Sequence, residues 1–446
     1  MNIDRRTLLA GAGALISTLS MAGTRTGSRS AAAGTTTANF PRGFLWGAAT
    51  AGHQVEGNNT NSDCWLLENI RPTIFAEPSR DAANSFALWA TDLDLAKGLG
   101  LNAYRFSLEW PRIEPEEGLF SLAMLDHYQA IVDGCRQRGL TPIVTFNHYT
   151  TPRWFAAAGG WVNPRSPELF ARFCDRAARR LGAAIGYATT LNEPNIMNIL
   201  RVVLPPPVVE AQRAMLEAAA RASGTAKFAA GNAIDLGDID TATDHLIAGH
   251  KAGRAAIKAA HPQLPVGVSL AMFDDQAAGP HSQRDAMRLK LYGPWLDAVR
   301  GDDFLGVQNY ERQVWTETGK LPTPAGVPVN YMGSEVYPAS LAGAVRYAHA
   351  ATGVPIFVTE HGVGTPDDSI RAQLIPAALA ELKQAMDEGV PVLGYCHWSL
   401  IDNFEWIFGY KVKLGLHSFD PVTFRRTAKP SAAVLGRIAR RNALKA

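Results

Sequence analysis

The chain has 446 residues, of which 47% are hydrophobic and 19% charged, at a mean hydropathy of −0.06. This is enough apolar material for a large core, and it excludes a disordered, collagen-like or polytopic membrane protein. The net charge is +2, but residues 1–33 hold Arg5, Arg6, Arg25 and Arg29 against Asp4, and the rest carries 39 basic against 40 acidic side chains. Such a near-neutral body has no footprint for phosphate backbones, so nucleic acid is not an expected partner.

Asp4-Arg5-Arg6-Thr7-Leu8-Leu9 opens an uncharged run of apolar and small residues from Leu8 to Gly23. This is a signal-peptide layout, too short and too rich in Gly, Ser and Thr to span a bilayer. The paired arginines resemble a bacterial twin-arginine export signal, which implies a periplasmic or secreted protein with no membrane span once mature. Cleavage fits after Ala22 or Ala33; the second choice makes residues 1–33 a signal peptide, 34–39 a linker and 40–446 a single domain.

From there strand-like and helix-like segments alternate. Eight short runs read as strands: Phe44–Ala49, Ala103–Leu108, Ile143–Asn147, Gly186–Leu191, Val266–Ala271, Phe304–Gln308, Ile356–Thr359 and Val392–His397. Several are near-continuous hydrophobic stretches, as expected of strands covered on both faces. Helix-period segments lie between them at Phe86–Leu99, Leu122–Arg138, Pro167–Leu181, Asp244–Ala260 and Ile375–Glu388. The alternation predicts an α/β fold, a (β/α)8 TIM barrel with one catalytic domain. An open doubly wound sheet would want a Gly-rich turn after its first strand, and none is present. The long connection from Pro194 to Pro265 is expected over the C-terminal face. Cys64, Cys135, Cys174 and Cys396 allow three pairings, and buried free thiols are the simpler expectation.

Polar residues just after a barrel strand project into the active-site mouth. By that test the strand ends offer Gln54 and Glu56, Glu109 with Arg105 inside the strand, Asn147-His148-Tyr149, Asn192-Glu193, Gln308-Asn309-Tyr310, Glu360-His361, and His397-Trp398 followed by Glu405-Trp406. Glu193, in Thr-Leu-Asn-Glu-Pro, and Glu360, in Phe-Val-Thr-Glu-His-Gly, follow apolar strand residues directly and are the candidate catalytic pair. Glycoside cleavage needs one carboxyl kept protonated and one kept ionised. Arg105 is the natural partner to hold Glu360 ionised. Gln54, His148, Asn192 and Glu405 supply hydrogen-bonding groups, and Trp398 and Trp406 flat walls, for a hydroxyl-rich ring. No Walker loop, His-Glu-x-x-His or Gly-x-Ser-x-Gly sequence is present.

Together these motifs, from Phe40-Pro41-Arg42-Gly43-Phe44-Leu45-Trp46-Gly47 to Gly415-Leu416, resemble glycoside hydrolase family 1, the retaining β-glucosidases and β-galactosidases. The resemblance implies Glu193 as acid/base, Glu360 as nucleophile, and Gln54, His148, Asn192, Glu405 and Trp406 as the sugar-binding set, with Trp398 as platform. It also implies Arg105 and Tyr310 as partners of the nucleophile, no metal or organic cofactor, and a small-molecule β-glycoside or oligosaccharide as substrate. The carboxyl of Glu405 argues for unphosphorylated glycosides. A transglycosidase using the same site, or a catalytically silent glycan-binding barrel, are the other readings of these residues. The sequence departs from the family pattern at His361 (usually Asn), Tyr149 (usually Trp), Gln308-Asn309-Tyr310 (commonly Asn-Tyr-Tyr) and Lys413-Leu414 (Arg-Phe). Trp154, Phe155, Met197 and Ile199 fit either an apolar outer subsite or loop packing.

Overall fold

The computed structural model describes residues 38–444; the expected signal peptide and most of the expected linker lie outside the described residues. Eight parallel strands close a barrel: β1 Leu45–Ala49, β2 Ala103–Ser107, β3 Thr141–Asn147, β4 Tyr187–Asn192, β5 Val266–Ala271, β6 Leu305–Asn309, β7 Ile356–His361 and β8 Val392–Trp398. Each strand pairs with its neighbours in chain order, and β8 returns to β1 through Gly394 opposite Leu45. A helix follows every strand: α1 Ser85–Gly98, α2 Leu122–Gln137, α3 Ser166–Leu181, α4 Ile239–Ala260, α5 Arg284–Ala298, α6 Ser340–Thr352, α7 Asp368–Asp387 and α8 Pro430–Arg441. The expected (β/α)8 barrel is the fold.

Strand alternation sorts side chains between two cores. In β2 the even positions, Tyr104 and Phe106, pack outward among the helices, as do Val144 and Phe146 of β3. Ala103 and Ile143 instead meet Ala49, Phe304, Phe357 and Cys396 inside the barrel. Two breaks in this alternation matter for function. Register slips between Thr189 and Asn192 in β4, and between Val358 and Glu360 in β7. Irregularities of this kind re-aim side chains at strand ends. In β7 the slip leaves Glu360 with the barrel interior, whereas His361 turns to the Tyr395 hydroxyl, 2.9 Å away.

The connection between β4 and β5 is more regular than a loop. It contains helices Ile196–Val203 and Pro206–Ser223 before α4. Pro206 and Pro207 open the second of these, where a missing N–H costs nothing, and Gly224 at φ 65° ends it. Past that helix, the Gly231 amide reaches back to Asp63 Oδ2 at 2.8 Å, which lays the segment over the C-terminal ends of the strands.

At the opposite end of the barrel the first and last described residues meet. Ala38–Asn39 pairs antiparallel with Ala443–Leu444. Asn442 accepts the Trp46 indole N–H at 2.9 Å and donates to the Phe40 carbonyl at 2.8 Å. All four cysteines are buried free thiols. Among the described residues no helix is long and apolar enough to cross a membrane.

Candidate active site

The C-terminal mouth is built around Glu360. Arg105 Nη1 lies 2.5 Å from its Oε1, Gln308 Nε2 2.9 Å from the same oxygen, and the Tyr310 hydroxyl 2.7 Å from Oε2. Burial pushes this carboxyl above its usual range, and Arg105, Tyr310 and Gln308 draw it only part of the way back. The same guanidinium donates through Nη2 to Asn192 Oδ1 at 2.5 Å, and Gln308 bridges Asn192 and Glu360. Gln308 stood among the expected strand-end residues but without a role. Its signal was strand parity: Gln308 and Tyr310 share a side and both reach Glu360, whereas Asn309 turns away to the Met272 carbonyl and Ser340.

Glu193 follows β4 at φ 42° and is tied by its amide to the Ser269 carbonyl at 2.7 Å. Its side chain receives a hydrogen bond from the Tyr149 hydroxyl at Oε2. Burial and the charge of Glu360 push its carboxyl up to about 8, against the smaller opposing effects of Tyr149 and Arg105. Two glutamates therefore share one site with unequal surroundings. One has a cation and two neutral donors; the other has a single phenol.

The expected sugar-binding residues gather around this pair. Asn192 Nδ2 sits 3.2 Å from His148 Nε2. Burial and the charge of Arg105 hold His148 neutral, so Nε2 accepts and Nδ1 carries the proton, with no protein partner among the described residues. Trp398, at the end of β8, and Trp406 both lie nearly parallel to the His148 ring, at 5.6 and 6.2 Å between centroids. Trp406 also stacks on the buried His53 at 5.9 Å. Gln54 donates to Asn403, to the Phe404 carbonyl and to Glu405 Oε2 at 3.2, 2.9 and 3.2 Å, which leaves its own Oε1 unpaired and free to accept from a hydroxyl. Burial and the charge of Glu360 raise Glu405 to about 8, with Gln54 and Tyr331 as its donors. Tyr331 was not anticipated; it comes from the long segment between β6 and α6, which carries no periodic signal.

Other strand-end carboxylates serve the framework. Glu56 accepts from the Tyr128 hydroxyl and pairs with Arg112, and Glu109 accepts from the His53 amide, Asn59 and Thr150. Their oxygens are taken by protein donors, so they do not face a ligand as the strand-end rule suggested. The outer-subsite alternative for four apolar residues resolves toward packing. Phe155 lies among Trp110, Trp154 and Trp161, Met197 and Ile199 are buried in the core, and the Trp154 indole donates to the Glu114 carbonyl at 2.9 Å. Among the described residues no three His, Cys, Asp or Glu side chains gather in a way that could hold a metal ion.

A closed (β/α)8 barrel with paired glutamates at its C-terminal mouth, flat aromatic walls and amide donors has the makeup of a glycoside hydrolase. Comparison with known proteins places it further. The model of glycosyl hydrolase family 1 matches residues 36–248 and 303–444, and the chain belongs to that family. It is 30% identical to a β-glucosidase of Agrobacterium sp. (strain ATCC 21400), over 89% of this chain and 94% of the relative. It is 26% identical to a β-galactosidase of Pyrococcus woesei, over 89% and 96%. Among solved structures, a β-glucosidase designated 1317 superposes with a TM-score of 0.86 at 41% identity, covering 90% of this chain and 98% of that one. A β-glycosidase designated BGL167 gives 0.84 at 45%, covering 90% and 97%. The protein is a retaining β-glycosidase.

Proposed function

We propose that Glu360 is the nucleophile and Glu193 the acid/base of a double displacement on unphosphorylated β-glycosides, with β-glucosides the preferred class. The single observation that carries this assignment is the unequal setting of the two carboxyls. Glu360 lies 2.5 Å from the Arg105 guanidinium, which favours its ionised form, whereas Glu193 has no cation in contact and its burial beside Glu360 pushes its carboxyl up to about 8.

In the first step Glu360 attacks the anomeric carbon, the glycosidic C–O bond breaks, and the Glu193 proton passes to the departing oxygen. The ester formed at Glu360 carries no charge, so one of the two causes holding Glu193 protonated disappears. Glu193 can then take a proton from water as the water attacks the anomeric carbon, and Glu360 leaves as the carboxylate. The names of the relatives support glucose or galactose as the sugar, and the Gln54–Glu405 pair offers an acceptor and a titratable carboxyl to its hydroxyls.

Azide tests the assignment. Glu193→Ala should lose most turnover of aryl β-glycosides and regain it with azide, giving a β-glycosyl azide; an α-azide, or no rescue in folded protein, counts against it. A second expectation concerns phosphate. Glu405 is half-buried, held by Gln54 and Tyr331, and has no ion pair among the described residues, so a phosphate placed there would meet a carboxyl without a compensating cation. Given the plain and 6-phosphorylated forms of one aryl glycoside, the enzyme should cleave the plain form; preference for the phosphorylated form would overturn this claim.

The paired arginines and uncharged run at the N-terminus support export to the periplasm or beyond. Fractionation of expressing cells, with Arg5→Lys and Arg6→Lys retaining the protein inside, is the corresponding check.

A further inference from the structure

Tyr149 stands where the family pattern has Trp, and no step above uses it. Its hydroxyl nevertheless makes the one side-chain hydrogen bond that Glu193 receives among the described residues. Around Glu193 the other polar groups act at longer range: Glu360 from β7, Arg105 from β2, Glu405 after β8, Tyr310 after β6, and Tyr331 from the segment before α6.

The placement of Tyr149 is enforced. Its backbone sits at φ 66°, a left-handed conformation that strains a bulky residue and persists only where the surroundings over-determine it. Here they do. Asn147 Nδ2 donates to the Thr150 carbonyl at 2.8 Å, and Thr150 Oγ1 to the buried Glu109 at 2.7 Å. Thr151 reaches the buried Asp63 with both its amide and its hydroxyl, at 3.0 and 2.8 Å. The same Asp63 holds the amide of Gly231, whose missing side chain makes room for Tyr149: a Cβ there would lie 1.7 Å from the Tyr149 carbonyl oxygen. Segments after β1, β2 and β4 thus converge on one backbone position. The ring is set edge-on to Trp406 and His148, each at 5.2 Å between centroids.

We propose that Tyr149 is a positioning residue for the acid/base, whose hydroxyl occupies Glu193 Oε2 so that the transferable proton resides on Oε1 and the carboxylate of the second step is stabilised. The proposal rests on Glu193 being the acid/base. An indole at this position has a donor but no hydroxyl, and its N–H falls elsewhere on the ring. In the first step Oε1–H is the group left to meet the glycosidic oxygen. In the second, the same phenol O–H donates to the ionised carboxylate, and no proton leaves the tyrosine in either step.

Tyr149→Phe and Tyr149→Trp, both as full-length enzyme with folding checked by circular dichroism, test this against wild type and Glu193→Ala. Losing a donor to the carboxylate makes Glu193 harder to ionise, so the alkaline limb of kcat/KM should move upward by roughly half a pH unit or more. A misplaced proton matters most where the leaving group needs one, so the loss on an alkyl β-glycoside should exceed that on the dinitrophenyl β-glycoside by about tenfold. Lost packing alone would lower both substrates together and leave the limb in place, and that result in both variants overturns the proposal. Azide separates the two levels. If it fails to rescue Glu193→Ala, the assignment of Glu193 falls and the role of Tyr149 with it; if rescue succeeds while the limb stays put, only the role of Tyr149 falls.

Discussion

Replacing Glu360 with glycine is expected to lower turnover of aryl β-glycosides by on the order of 10⁴-fold or more, because it removes the atom that attacks and no other ionised group lies in its place. Tyr310, Gln308 and Arg105 all converge on this one carboxylate; Tyr310 would lose its acceptor there, and Gln308 and Arg105 would keep only Asn192. The variant should still fold, since the space opened beside a guanidinium and a phenol is polar and admits water or a small anion. Formate or azide should therefore restore part of the activity. Attack by an external anion in the position of Glu360 gives the α-configured product, opposite to that from Glu193→Ala with azide. Product configuration by NMR checks this directly, and a folded Glu360→Gly enzyme that retains more than a few per cent of turnover sinks the assignment.

The second large effect is expected at Arg105. It is fully buried and divides its guanidinium between Glu360 and Asn192, at 2.5 Å to each. Arg105→Met removes one partner of a buried ion pair, a change that costs roughly 3–5 kcal/mol because the remaining charge is left uncompensated. It also shifts the nucleophile. With burial unopposed by the cation, Glu360 binds its proton more tightly, so the acid limb of the pH–rate profile should move to higher pH and the ionised fraction at neutral pH should drop. Arg105→Lys is not a mild control, since a point charge cannot serve both acceptors in the geometry of the fork. Thermal melting together with kcat/KM across pH checks both halves. An acid limb that stays in place while stability falls would reduce Arg105 to a structural role.

The barrel was legible in the sequence because its strands are buried on both faces and read as short hydrophobic runs between turns. All eight were visible, and five of the eight outer helices were as well. Of the other three, α5 holds Pro294, and α6 and α8 are the two shortest of the eight. The strand Asp274–Ala277 has little intrinsic preference and exists because it pairs with Arg312–Trp315. At the mouth, sequence order pointed to a residue set that the fold brings together, but not to which oxygen each donor reaches. Glu109 and Gln308 illustrate the limit. Both end strands beside polar neighbours, yet one is taken up by Asn59 and Thr150 and the other bridges Asn192 and Glu360. That difference arises from contacts between segments far apart in the chain.

The clasp between Ala38–Asn39 and Ala443–Leu444, fastened by Asn442, has a practical corollary. The described chain therefore both begins and ends at the floor of the barrel, on the side away from the mouth. A bead, a carrier protein or a surface coupled at Leu444 would hang beneath the enzyme and leave its opening facing bulk solution. The molecule is thus suited to oriented tethering from its floor, and such a coupling should leave substrate entry unobstructed.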